Sequence, residues 1–165
     1  MKSVIRKDEA AVSPVIATIL MVAITVVLAA VLYVMVSGLL TPIGTNKPVL
    51  TFAGPTLGSG NATVSIASTS QAVAASNYKL NLQVGTGTGA AAAMPTTSGS
   101  YASVVVGSTT YRVYWTDIGG EGTVNGGDTL RVTGNNVALT TGSSYTLFLL
   151  WSDGSQIQTA AWITP

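Results

Sequence analysis

Few residues in this chain have side chains that could do chemistry. The stretch Asp117-Ile118-Gly119-Gly120-Glu121-Gly122-Thr123-Val124-Asn125-Gly126-Gly127-Asp128 has oxygen-bearing side chains at places 1, 5, 9 and 12 and Gly at place 6. That is part of the pattern of a calcium-binding loop. Place 3 is Gly119, however, and place 12 is Asp128 where a bidentate Glu is usual. The flanking patterns are strands rather than two helices, so the stretch reads as a Gly-rich turn. Asp117 with Glu121, or Asp128 with Asp153, could form the carboxylate pair that glycoside hydrolysis requires. Such pairs occur in any β protein and carry little weight alone. The chain has no His and no Cys. It therefore lacks the commonest general base and metal ligand, and it has no thiolate for zinc, iron–sulfur or nucleophilic chemistry. No P-loop is present. No catalytic residue, cofactor or metal is expected, and the chain reads as a non-enzyme. Asn61-Ala62-Thr63 is the single Asn-x-Ser/Thr sequon, a candidate N-glycosylation site if that region lies outside a cell.

The elements that must position these residues follow from where charge is missing. Of 165 residues only 8% are charged and 47% are hydrophobic. A soluble domain is usually about a quarter charged. Seven Lys and Arg oppose six Asp and Glu, and a net charge of +1 argues against a nucleic-acid partner. Lys2, Arg6, Lys7, Asp8 and Glu9 crowd the first nine residues, and the next charge is Lys47. The chain thus divides into a charged leader (1–10), an apolar rod (11–38), a linker with Pro42, Gly44 and Pro48 (39–48) and a polar head (49–165).

The rod opens with Ser13-Pro14, a favoured N-cap followed by a residue suited to the first helical position. From Val15 to Val36 there is no Gly, Pro or charge. A helix over about 14–37, stopped by Gly38 in a left-handed conformation, would be roughly 36 Å long, enough to cross a hydrocarbon core of about 30 Å. Many rod residues are β-branched, but strands seldom run so long. Apolarity on every side implies burial in lipid or in a bundle. Small residues such as Ala17, Ala23 and Ala30 would let neighbouring helices approach closely.

In the head, short runs of strand character recur. Tyr78, Leu80, Leu82 and Val84 alternate with Lys79, Asn81 and Gln83. Residues 101–106 and 110–115 read as a hairpin around Gly107-Ser108, and Asp153-Gly154 marks another between 144–151 and 156–163. Seven to nine strands with turn signals predict an antiparallel β-sandwich, immunoglobulin-like in its arrangement. The fold class is therefore α+β. Residues 85–100, rich in Gly, Ala and Thr, read as a long mobile loop. Trp115, Trp151 and Trp162 read as core, and the unbroken run 147–151 as a central strand.

At Glu9-Ala10-Ala11-Val12-Ser13-Pro14-Val15-Ile16, followed by the uninterrupted rod, the sequence resembles the archaeal type IV pilins. The resemblance implies a class III signal peptide (1–10), with Glu9, Ala10, Ala11 and Val12 forming the prepilin peptidase site and the cut falling between Ala10 and Ala11. Bacterial pilins often have Glu as the fifth mature residue, whereas Val15 stands there in this chain. The resemblance further implies a homopolymer of pilin subunits packed through the rod, with Val15, Ile16, Ala17, Ile19, Leu20, Ala23, Ile24, Val27, Ala30 and Val31 as helix-packing residues. A prepilin peptidase, an assembly ATPase and a membrane platform would be the partners. The product would be an extracellular adhesion filament at the cell surface, formed from a precursor spanning the cytoplasmic membrane.

Physical reasoning supplies the logic of such a cut. The leader's positive charges favour the cytoplasmic side. Cleavage removes three of the seven basic and two of the six acidic residues, leaving four of each. An unpaired charge drawn into an apolar bundle costs several kcal/mol. Removing the leader would therefore free the rod to assemble. The alternative is a membrane-anchored cell-surface binding protein that does not polymerise. It shares the rod and the sandwich and differs in keeping residues 1–10.

Overall fold

The computed structural model describes residues 14–39 and 47–165. The chain divides into two compact units, Met1–Pro42 and Ile43–Pro165. The first contains one helix, α1 (Pro14–Leu39). Pro14 occupies its first position, as the sequence predicts, since a missing N–H costs nothing there. The helix runs through Gly38 instead of stopping before it. Gly38 therefore lies in the last turn rather than forming a left-handed cap beyond it; a glycine permits either conformation. The start of the rod expected at residues 11–13 and most of the 39–48 linker fall outside the described residues.

The second unit is built from antiparallel strands. One sheet runs in the order β1 (Leu50–Phe52), β3 (Asn61–Thr69), β11 (Thr129–Gly134), β9 (Thr109–Thr116), β8 (Tyr101–Val106), with β2 (Thr56–Gly58) also paired to β3. The other runs β13 (Gln156–Ile163), β12 (Ser144–Trp151), β5 (Tyr78–Val84), with the short β6 (Gly87–Thr88) and β7 (Ala92–Ala93) both on β5. A small ribbon joins β4 (Val73–Ala74) to β10 (Thr123–Val124). In immunoglobulin constant-type domains the sheets are ordered A-B-E-D and C-F-G. Here β1-β3-β11-β9 and β5-β12-β13 reproduce both orders, with β8 as an additional strand beyond the D position. The predicted immunoglobulin-like arrangement is thus present.

Period-two patterning explains the layering. β8 alternates exposed and buried along its whole length, and β5 alternates buried and half-buried over its first five residues. The inward residues from both sheets form one core that includes Val64, Leu80, Leu82, Val104, Val113, Trp115, Leu130, Leu147 and Leu149. Tyr111 of one sheet meets Tyr145 of the other edge-on at 6.0 Å. Tyr145 also stacks on Trp162 at 5.8 Å, and its hydroxyl accepts the Thr140 N–H at 2.9 Å. That bond, near the start of β12 and reaching back to the chain just upstream, is the geometry of a tyrosine corner. All three tryptophans are buried, as expected. β12 is the central strand of its sheet, and its outward Phe148 and Leu150 are half-buried.

The expectation of a mobile loop over 85–100 is corrected. Residues 87–88 and 92–93 pair with β5, and Met94 is buried, its N–H donating to Tyr78 O at 3.1 Å. The segment lacks period-two apolar patterning because backbone bonds, rather than large side chains, hold it. Its small residues are themselves the reason it fits. A Cβ on Gly89 would lie 2.6 Å from Val104 Cγ1 and 2.8 Å from Val105 O. Only glycine lets this strip close against β8.

Candidate assembly surface

The rod is the part of the molecule whose exposed surface demands a partner. Every residue of α1 from Pro14 to Ser37 is exposed, and its large apolar side chains are at least half so. Val15, Ile16, Ile19, Leu20, Ile24, Val27 and Val31, all expected to pack against other helices, are among them, and Ala17, Ala23 and Ala30 are exposed beside them. The helix is uncharged, and its length and composition suffice to cross a membrane. Its Ser and Thr hydroxyls make no demand on solvent. Thr18 Oγ1 donates to Val15 O and Thr25 Oγ1 to Val22 O, both at 2.9 Å, and Ser37 Oγ donates to Tyr33 O. A helix whose backbone and small hydroxyls are satisfied internally, with its one tyrosine, Tyr33, near an end, is what lipid or a helix bundle accepts. Burying a Val, Leu or Ile side chain stabilises by about 1.5–3 kcal/mol. Sixteen large apolar side chains stand exposed between Val15 and Val36. Leaving that surface in water would cost more than the roughly 5–15 kcal/mol that holds a domain folded. The rod therefore needs a non-aqueous environment.

Glu9, Ala10, Ala11 and Val12, the predicted cleavage residues, lie outside the described residues. Asn61 is described. It is half-buried at the start of β3, directly after the tight Ser59-Gly60 turn, where both residues have positive φ (52° and 73°). This is the primed geometry that suits a two-residue hairpin. A Cβ on Gly60 would lie 2.4 Å from Ala138 Cβ, and Gly60 O accepts the Leu139 N–H at 2.8 Å. The turn is thereby tied to residues 138–139 beside it.

The calcium-like stretch 117–128 is brought together, but by its own backbone. Asp117 Oδ1 accepts the Gly120 N–H and Oδ2 the Gly122 N–H, each at 2.7 Å. Asp128 Oδ1 accepts the Ile118 N–H at 3.1 Å and Oδ2 the Asn125 N–H at 2.9 Å. Both carboxylates are buried. All four of their oxygens therefore hold the turn together, which is the Gly-rich turn the sequence favours. Glu121 stands apart from this arrangement and accepts from Asn125 Nδ2 at 2.9 Å. Asp153 lies in the β12–β13 turn, where Ser155 N–H donates to its Oδ1 at 2.7 Å. The side-chain and backbone hydrogen bonds from Ser155, aided by nearby Lys47, hold the Asp153 carboxyl below the usual range. Lys47 Nζ donates to Ser155 Oγ and Gln156 O, and Lys79 Nζ donates to Ser152 O, so both lysines serve the same turn.

The structure also assembles a cluster that the sequence reading does not single out. Arg112 lies over the Tyr101 ring and Arg131 over the Tyr114 ring, each 4.7 Å from the centroid, and the two rings are 5.1 Å apart. The sequence signal is faint: Arg112 and Tyr114 are two apart on one strand, and only strand pairing brings in Tyr101 and Arg131.

Comparison with known protein families gives one match, covering residues 10–52, to the family described as archaeal type IV pilin, N-terminal. Residues 10–52 thus match the N-terminal domain of archaeal type IV pilins. The match begins at Ala10, next to the predicted cut, and includes the whole of α1 and the first strand of the head. A search among curated proteins found no match. Pilins are structural subunits that assemble with other pilins. The exposed apolar rod fits a membrane-anchored precursor and a surface filament.

Proposed function

We propose that this chain is the precursor of an extracellular pilus subunit, that it performs no catalysis, and that it polymerises through α1 into a filament serving attachment. The observation that carries the reading is a fully exposed, uncharged helix within the segment that matches the pilin N-terminal domain. In the precursor the rod spans the cytoplasmic membrane, with the basic leader inside and the head outside. A prepilin peptidase cuts between Ala10 and Ala11, within the Glu9-Ala10-Ala11-Val12 site. The charged leader 1–10 is lost, residues 39–48 act as the linker, and 49–165 form the head. An assembly ATPase and a membrane platform then move the subunit from lipid into the filament.

Energetics favours this order. Within the membrane the exchange of lipid for helix is nearly neutral, since acyl tails are as apolar as Leu. Outside the cell water is the competing environment, and burial at about 25 cal/mol per Å² opposes subunit release. Head-to-tail contacts that do not close generate an open helical polymer. Val15, Ile16, Ala17, Ile19, Leu20, Ala23, Ile24, Val27, Ala30 and Val31 supply the packing surface, with the alanines at the closest approaches.

N-terminal sequencing of material sheared from cells tests the reading. A mature start at Ala11 in high-mass fibres supports it. An intact Met1 found only in the membrane fraction would favour a non-polymerising surface anchor instead.

A further inference from the structure

Strand register places two polar rows side by side on the outer face of the first sheet. One row runs Thr56, Thr63, Arg131, Tyr114, Tyr101, and the next runs Thr133, Arg112, Ser103, with the Gly58–Asn61 pair at the end of β3. Both arginines of the mature chain are in these rows. Each guanidinium lies over a tyrosine ring, and Arg112 also donates to Asn136 Oδ1 at 2.7 Å. Among the described residues neither arginine meets a carboxylate. Diagonal neighbours on adjacent strands are about 7–8 Å apart at Cα, so two like charges are held close together with no counter-charge.

Few of the chain's own acids are free to supply that counter-charge from a second copy. Asp117 and Asp128 are buried with all four oxygens occupied. Asp153 and Glu121 are exposed but already engaged, by Ser155 and Lys47 in one case and by Asn125 in the other. An external anion meets both arginines without breaking those contacts. A guanidinium braced on a ring presents its N–H edge as a fixed fork suited to a planar carboxylate. The neighbours Thr63, Thr133, Ser103 and Asn61 are neutral hydrogen-bonding groups, matched to hydroxyls rather than to a continuous run of charge. Next to Arg131 and Tyr114 is a polar cavity of about 270 Å³, walled by Asn61, Thr133, Asn136 and Ala138. It is smaller than the roughly 300–1,000 Å³ usual for drug-sized ligands, a size suited to a single sugar unit. A nucleic acid would call for a longer basic track than two arginines provide.

The geometry points to a binding face for an acidic polysaccharide, with Arg112 and Arg131 taking uronate-type carboxylates and Tyr114 and Tyr101 holding the two guanidiniums in place. The site rests on the pilus reading only for its biological use. There, repetition along a filament would turn weak single contacts into avid attachment.

The test uses the unmodified full chain as detergent-solubilised monomer, immobilised at high density, so that its outcome is independent of whether filaments form. The probes are polygalacturonate, neutral dextran, dextran sulfate and single-stranded DNA. Polygalacturonate should bind, more weakly as salt rises, and neutral dextran should not. The double variant Arg112→Gln/Arg131→Gln should weaken polygalacturonate binding by at least about tenfold, the scale of losing charge-assisted bonds, with its melting temperature retained. Arg131→Lys keeps the charge and loses the fork, and should fall between the two. Four results would overturn the assignment: no binding of polygalacturonate, equal binding by the double variant, DNA or dextran sulfate binding as tightly as polygalacturonate, or self-association of the chain that disappears in the double variant.

Discussion

Asp128 is fully buried and accepts two backbone N–H groups across a loop of glycines. Asp128→Ala strands both donors. Hydrogen bonds to a charged group contribute about 1.5–3 kcal/mol, so we expect a loss of about 2–4 kcal/mol in urea unfolding. Because Asp117 and Asp128 already use their oxygens on the backbone, added calcium should leave the wild-type melting temperature unchanged. Tyr78 is the converse case. Its hydroxyl is buried without a partner among the described residues, and burial pushes its pKa from 10.0 to about 12. The folded state thus holds the neutral form more firmly than the unfolded state does. Its contribution to stability is complete below pH 10 and is lost as pH rises through about 12. Tyr78→Phe should be neutral or slightly stabilising at pH 7, and should lose less stability than wild type between pH 10 and 12. A variant markedly less stable at pH 7 would contradict the unpartnered hydroxyl. Sequence alone left the role of the two aspartates open, because a metal ligand and an N–H acceptor both require oxygen in a glycine-rich turn. The Arg–Tyr cluster depends on cross-strand register, which no local spacing reveals.

At the scale of elements, the rod was legible from composition. Twenty-two residues without charge, Gly or Pro, opened by Ser13-Pro14, leave helix as the satisfied conformation. Its exit was less legible, since a glycine near a helix end can lie inside or beyond the last turn. Strands with strict alternation, such as 78–84, were readable for the same reason that they fold: one face is core. The 85–100 strip was misread because its pairing depends on close backbone approach at Gly89 and on the single buried Met94, and neither leaves a periodic signature. Two substitutions probe the rod. Val22→Asp places a charge mid-helix, at about 2.5–3.5 kcal/mol for insertion and several kcal/mol in an apolar bundle. Membrane fractionation should show less inserted precursor, and microscopy no fibres. Ala11→Asp should leave uncut precursor on immunoblots; normal filaments from that variant would refute the charge argument at the junction.

At the scale of the molecule, the two units divide the work by solvent. The head buries its apolar residues in a sandwich core of its own, whereas the rod leaves its apolar surface uncovered. Loss of residues 1–10 would leave four basic and four acidic residues, of which two lysines and Asp153 converge on a single turn and two aspartates on another. Little charge remains to repel identical neighbours in a polymer. The contrast between an uncharged rod and a polar head could be read from the charge map. How the head would meet neighbours could not, because its exposed apolar residues, among them Val105, Ile118 and Ile163, form no run in the sequence. The account turns on where the rod comes to rest. A helical reconstruction of filaments sheared from cells measures this directly. The account predicts residues 14–37 packed against copies of themselves along the filament axis, with Ala17, Ala23 and Ala30 at the closest helix contacts and no density for residues 1–10. Filaments whose subunits meet only through their heads, with the rod still in lipid or solvent, would contradict it.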